Sequence, residues 1–184
     1  MGIKGKFAAI GVAVLILVAI LIGMTVVGAQ IYANLVRSSE IASAGLRNHM
    51  TGDMMHDSLR SDVYRALFVA EVDPALAEQS LADVAEDAEV FRSRLAANKA
   101  LDLPESVRPT LNKLDEPLEA YISQAETIVA TAFTDRAAAI ASLPQFDERF
   151  EGLEGVMESA SEVIEGAVAD LAAQGARLET LSII

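Results

Sequence analysis

Both histidines of the chain fall in one row. Stepping alternately by four and three through the first long helical stretch gives Leu35, Ser39, Ala42, Leu46, His49, Asp53, His56, Arg60, Val63, Leu67 and Ala70. His49, Asp53, His56 and Arg60 are consecutive in this series and share a narrow strip of a helix. Ile41, Leu59 and Val63 flank the strip on one side, and Leu46, Met50, Tyr64 and Phe68 on the other. Three chemistries are open to such a row. Asp53 could accept from His49 and His56, with Asp53 or Asp57 pairing with Arg60, as a buried network that fixes helix register. On that reading, loss of the Asp53 carboxylate costs about 1–3 kcal/mol. The row could instead face a ligand or a second subunit, because sites in helix bundles are built from inward-facing side chains. Thirdly, His49, Asp53 and His56 could offer nitrogen and oxygen ligands to a metal or a non-covalent haem.

Other groups have weaker claims. Arg60, Tyr64, Arg65 and Arg149 could receive a carboxylate ligand, with ion pairs to Asp62, Glu71 or Glu148 as the competing use. Glu151, Glu154, Glu158, Glu162 and Glu165 read as a solvated helix face. No Ser–His–Asp set, glycine-rich phosphate loop or paired Glu-x-x-His pattern occurs, so neither catalysis nor a cofactor is expected. The chain has no Cys, which excludes disulfides, thiolate zinc sites, iron–sulfur clusters and covalent haem. A formal net charge of −13 repels phosphate backbones, so nucleic acid is not an expected partner.

The elements that must position these residues are helices. The composition is rich in Ala, Leu, Glu and Val, with no Trp and only 5% aromatics, too poor in strand-forming runs for a sheet. Phe7 to Ala29 carries no charge and, apart from Thr25, no polar side chain, following Lys4 and Lys6. That stretch can cross a hydrocarbon layer of ~30 Å. Val27-Gly28-Ala29 resembles a signal-peptide cleavage site, but the stretch exceeds the roughly 7–15 apolar residues of a signal peptide, so an uncleaved anchor is expected. Basic residues stay on the cytoplasmic side, which places the N-terminus in the cytoplasm and the acidic remainder in the periplasm of a bacterial inner membrane.

Asp73-Pro74, Asp102 to Ser106, and Ser142-Leu143-Pro144 divide the remainder. They predict helices over about 30–72, 74–102, 106–136 and 144–184. The last three carry heptad seams: Ala77, Leu81, Val84, Ala88, Phe91 and Leu95; Val107, Leu111, Leu114, Leu118, Tyr121, Ala125, Ile128 and Ala132; and Phe146, Phe150, Leu153, Met157, Ala160 and Ile164, continuing through Ala167, Leu171, Gln174, Leu178 and Leu181. The expectation is an all-α protein: a membrane helix within residues 1–29, continuous with an antiparallel up-down-up-down four-helix bundle over 30–184. Gly45 and Gly52 weaken a helix interior by about 1 kcal/mol each and point to a close neighbour. Leu178, Leu181, Ile183 and Ile184 read as the first turns of a second apolar helix.

A basic start, an anchor running into a bundle, and a last helix returning to the membrane resemble the sensory half of a bacterial methyl-accepting chemotaxis receptor. The stretch Arg47-Asn48-His49-Met50-Thr51-Gly52-Asp53-Met54-Met55-His56-Asp57-Ser58-Leu59-Arg60-Ser61-Asp62-Val63 is similar to the first bundle helix of such receptors. The resemblance implies a homodimer that binds a small molecule or a periplasmic binding protein and passes the event inward by a piston or rotation of its last helix. It places ligand recognition near Arg60 and Arg65, although the family's full arginine set is absent. It also implies a second membrane helix and a cytoplasmic signalling half beyond these 184 residues. The rival reading is a membrane-anchored structural subunit that assembles laterally into a filament or scaffold.

Overall fold

The helices start and stop where local chemistry requires it. The computed structural model describes residues 2–182, with the backbone alone for 5, 8, 9 and 178–182; the molecule is 91% helical, with no strand among the described residues. Helix α1 (Ile3–Val72) ends at Asp73, whose Oδ1 accepts from the Ala75 N–H at 3.3 Å. A single 3₁₀ turn, Pro74–Leu76, follows and leads into α2 (Ala77–Ala100). Proline is tolerated in that first turn, where its missing N–H has no partner to lose. Leu101 then turns to extended geometry, and α3 (Arg108–Asn112) opens with Pro109 in its first turn.

The helix expected over 106–136 is divided. It comprises α3 and α4 (Asp115–Ala132), and a further short helix, α5 (Arg136–Ala141), follows at its expected end, ahead of α6 (Leu143–Ser182). Pro117 explains the first division: it cannot donate within a continuous helix, and the restart at Asp115 leaves it in a first turn. Asp135 explains the second, since its Oδ1 accepts from the Ala138 N–H at 3.0 Å and caps a new helix.

The chain forms two compact units, Met1–Ser39 with Leu171–Ile184, and Glu40–Asp170. The division follows packing rather than the end of the apolar stretch at Ala29. In the first unit, α1 is the one helix among the described residues long and apolar enough to cross a membrane, and none of its most apolar window is buried. The Thr25 hydroxyl donates to the Leu21 carbonyl at 2.6 Å, which satisfies the lone polar side chain of that stretch. Gly175 of α6 lies against Leu35, whose Cδ2 is 3.1 Å from where a Cβ would stand. Ile183 and Ile184 lie outside the described residues, and of Leu178 and Leu181 only the helical backbone is described.

The second unit holds the core. Leu59, Val63 and Ala66 of α1 meet Val84, Ala88 and Phe91 of α2, Leu118 to Ala132 of α4, and Phe146 to Ile164 of α6. All eight seam residues read from Val107 to Ala132 are buried, as are the six from Phe146 to Ile164. In α2 only Val84, Ala88 and Phe91 of the six are buried, Ala77 and Leu95 are half-buried, and Leu81 is 42% exposed.

Candidate functional site

The buried strip of α1 runs Ala42, Gly45, His49, Gly52, His56, Leu59, Val63 and Ala66. Gly45, Gly52 and Leu59 occupy places that the alternating four-and-three step gives to Leu46, Asp53 and Arg60. The strip is therefore rotated by about 50° from that count. The glycines are where the neighbours come close. A Cβ on Gly45 would meet Leu103 Cδ2 at 3.2 Å, and one on Gly52 would meet Phe91 Cε2 at 3.2 Å.

This rotation corrects the Asp53-centred network. Asp53 is exposed, while His49 and His56 are buried at 8% and 2% exposure. Both rings turn to the backbone of α6 instead. His56 Nε2–H donates to the Phe150 carbonyl at 3.2 Å, and His49 lies beside the backbone of Met157. Tyr121 of α4 donates to the His56 carbonyl at 2.8 Å, so one residue of α1 is tied to two other helices. The His56 ring stacks on Phe150 at 4.0 Å between centroids and tilts against Tyr121 at 5.0 Å. Burial lowers the pKa of both histidines; the Asp53 charge and the Met157 backbone oppose this at His49, and the Phe150 carbonyl and nearby carboxylates oppose it at His56. Burial likewise raises the Tyr121 hydroxyl.

The arginines are engaged by the protein itself. Arg60 pairs with Asp147 at 3.6 Å and lies 4.3 Å from the Phe150 ring centroid. Tyr64 donates to the same Asp147 carboxylate at 3.0 Å, and Asp147 with burial raises its pKa. Arg65 pairs with Asp83 and, at 3.3 Å, with Asp62. Arg149 donates to the Ala120 carbonyl at 2.6 Å. Of the ion pairs read from sequence, Arg65 with Asp62 forms; Glu71 pairs with Arg136 at 2.7 Å rather than with an arginine of its own helix.

Between α1 and α6 lies an open groove of ≈ 490 Å³, lined by His49, Met50 and Asp53 from α1 and by Glu151, Glu154, Gly155, Met157, Glu158 and Ser161 from α6. Four of these are carboxylates, and among the described residues none of the four has a Lys or Arg partner. The five glutamates that read as a solvated face are all exposed, and three of them, Glu151, Glu154 and Glu158, form one wall of this groove. The signal that could have found this is the i, i+3, i+7 spacing of Glu151, Glu154 and Glu158 beside the α6 seam. His49 and Met157 also line a small pocket of ≈ 20 Å³, which they share with Phe91 and the buried Asn98. Among the described residues no group of three or more His, Asp or Glu is placed to hold a metal ion, so His49, Asp53 and His56 do not form a ligand set.

No protein-family model, curated protein or solved structure matches the chain.

Proposed function

We propose that residues 40–170 are a non-catalytic sensory module that binds a small organic cation in the α1–α6 groove. The apolar part of α1 anchors it in a bacterial inner membrane, with the N-terminus cytoplasmic and the module periplasmic. One observation carries the reading: a concave site of ≈ 490 Å³ joins a buried histidine to four carboxylates that lack a basic partner. Such a site attracts positive charge, and the thioethers of Met50 and Met157 suit an aliphatic stem. An organic anion is the poorer fit, because Arg60, Arg65 and Arg149 already have acceptors.

The buried strips of α1, α2, α4 and α6 support an up-down four-helix bundle as the scaffold of the module. The likeness of Arg47 to Val63 to chemotaxis receptors supports a homodimer and a signalling role. Met54 and Phe68 of α1, both at least 64% exposed, are the surface a second subunit would cover. The same surface favours the rival reading of lateral assembly, which sedimentation separates: a receptor stops at the dimer, and a scaffold grows with concentration.

A thermal-shift screen of the full chain in detergent, against diamines, polyamines, choline, amino acids, organic acids and divalent metals, tests the ligand class. A ligand at about 100 times its dissociation constant adds about 2.7 kcal/mol to native-state stability. A rise in melting temperature with an organic cation supports the proposal. Rises confined to organic acids or metals overturn it.

A further inference from the structure

Away from the groove, the contact between α1 and α2 holds a carboxylate with nowhere to place its charge. Asp62 is 8% exposed, and its Oδ2 is buried with no hydrogen-bond partner among the described residues. The charged groups facing it are Asp83 and Asp87 from α2 and Arg65 from α1 itself. Arg65 is a poor counter-ion for it. Its guanidinium reaches Asp62 Oδ1 at 3.3 Å but binds Asp83 closely. Asp87 already accepts from the Ser58 hydroxyl, and its side chain lies within hydrogen-bonding reach of Asp62. Asp62 and Asp83 thus share one arginine across a helix–helix contact, Asp87 stands beside them without one, and the unpartnered oxygen belongs to the most buried of the three.

A metal is not the answer, since no group of three or more ligating residues among those described is placed to hold one. A proton is. If Asp62 and Asp87 share one, a carboxyl donates to a carboxylate, the orphaned oxygen gains a partner, and one negative charge is removed from the cluster. We propose that Asp62 and Asp87 form a proton-dependent clasp that joins α1 to α2 in mildly acidic surroundings and loosens when the shared proton leaves. Burial and the Asp87 charge, opposed by Arg65, push Asp62 up to about 6. A group held more tightly protonated in the native state stabilises it most at low pH. That contribution is fully present below the unfolded value near 3.8 and is lost as pH rises through about 6. The clasp therefore opens between mildly acidic and neutral pH, independently of any ligand in the groove.

The test compares the full chain in detergent with Asp62→Asn and, separately, Asp87→Asn. Each replacement leaves a neutral amide in place of one carboxyl, so either mimics the protonated pair. At pH 8 each variant should melt about 3 °C or more above the parent. At pH 4.5 that advantage should vanish or reverse. Hydrogen exchange, corrected for intrinsic rates, should show the parent's α1 and α2 amides around Asp62 and Asp87 opening several-fold more often at pH 8 than at pH 5.5, a difference absent in Asp62→Asn. If both variants are destabilised equally at both pH values, or local opening in the parent does not depend on pH, the carboxyls are ordinary structural acceptors and the clasp is wrong. A variant too unstable to purify leaves the exchange comparison on the parent to decide.

Discussion

At the residue scale, His56 rather than Asp53 holds the row together. The ring of His56 donates to one helix and stacks on an aromatic of that helix, while its carbonyl accepts from another. His56→Ala should therefore cost about 2–4 kcal/mol, combining a lost buried ring with a Phe150 carbonyl left without its donor. Asp53→Ala, at an exposed position, should stay within about 0.5 kcal/mol. Denaturant melts of the two variants check this, and the reverse order would refute it. The histidines also set a pH dependence opposite to that of Asp62. Their native pKa values lie below 6.5, so the unfolded chain takes up protons first. The stability they contribute is fully present above pH 6.5 and is lost as pH falls below it. Imidazole resonances should accordingly titrate below 6.5 in the folded chain and at the ordinary value once it is denatured. The histidine row was visible in the sequence because its residue types are rare here. Its hydrogen bonds were not, because intrahelical spacing offers Asp53 as an acceptor while the choice of the α6 backbone depends on how that helix packs.

At the element scale, the seams separate what periodicity can give from what it cannot. Across α3 and α4 apolar residues fill the seam, and every seam position from Val107 to Ala132 is placed correctly by a 4-3 count. In α1 the buried strip passes through Gly45 and Gly52, which no hydrophobicity count scores, so the axis of burial is displaced. The α4–α5 break was hidden for a related reason: the alanines after Asp135 continue a helical composition, and the break rests on one capping carboxylate. Glycine substitutions report on these distinctions. Gly52→Leu should cost about 1–3 kcal/mol, because Phe91 stands 3.2 Å from the new Cβ and is itself buried. Gly166→Ala, with nothing within 4 Å, should instead stabilise by about 0.5–1 kcal/mol through helix propensity. Chemical denaturation of both variants would check the signs, and a stabilised Gly52→Leu would contradict the close packing of α1 on α2.

At the scale of the whole molecule, the proposal joins a membrane helix to an acidic binding module. The absence of cysteine makes the topology accessible to single-cysteine labelling. Ser159→Cys should react with a membrane-impermeant maleimide on intact cells, and Gly2→Cys only after lysis; the opposite pattern would invert the orientation. Salt adds a second handle, since cation binding in an open acidic groove should weaken as ionic strength rises. The most direct measurement is a calorimetric titration of the full chain with spermidine at low and at physiological salt, beside the double variant Glu154→Gln with Glu158→Gln. Saturable, salt-sensitive binding by the parent that is lost in the variant is the predicted result. Binding that survives loss of both carboxylates, or no heat from the parent at either salt, would contradict the groove as the site of cation recognition.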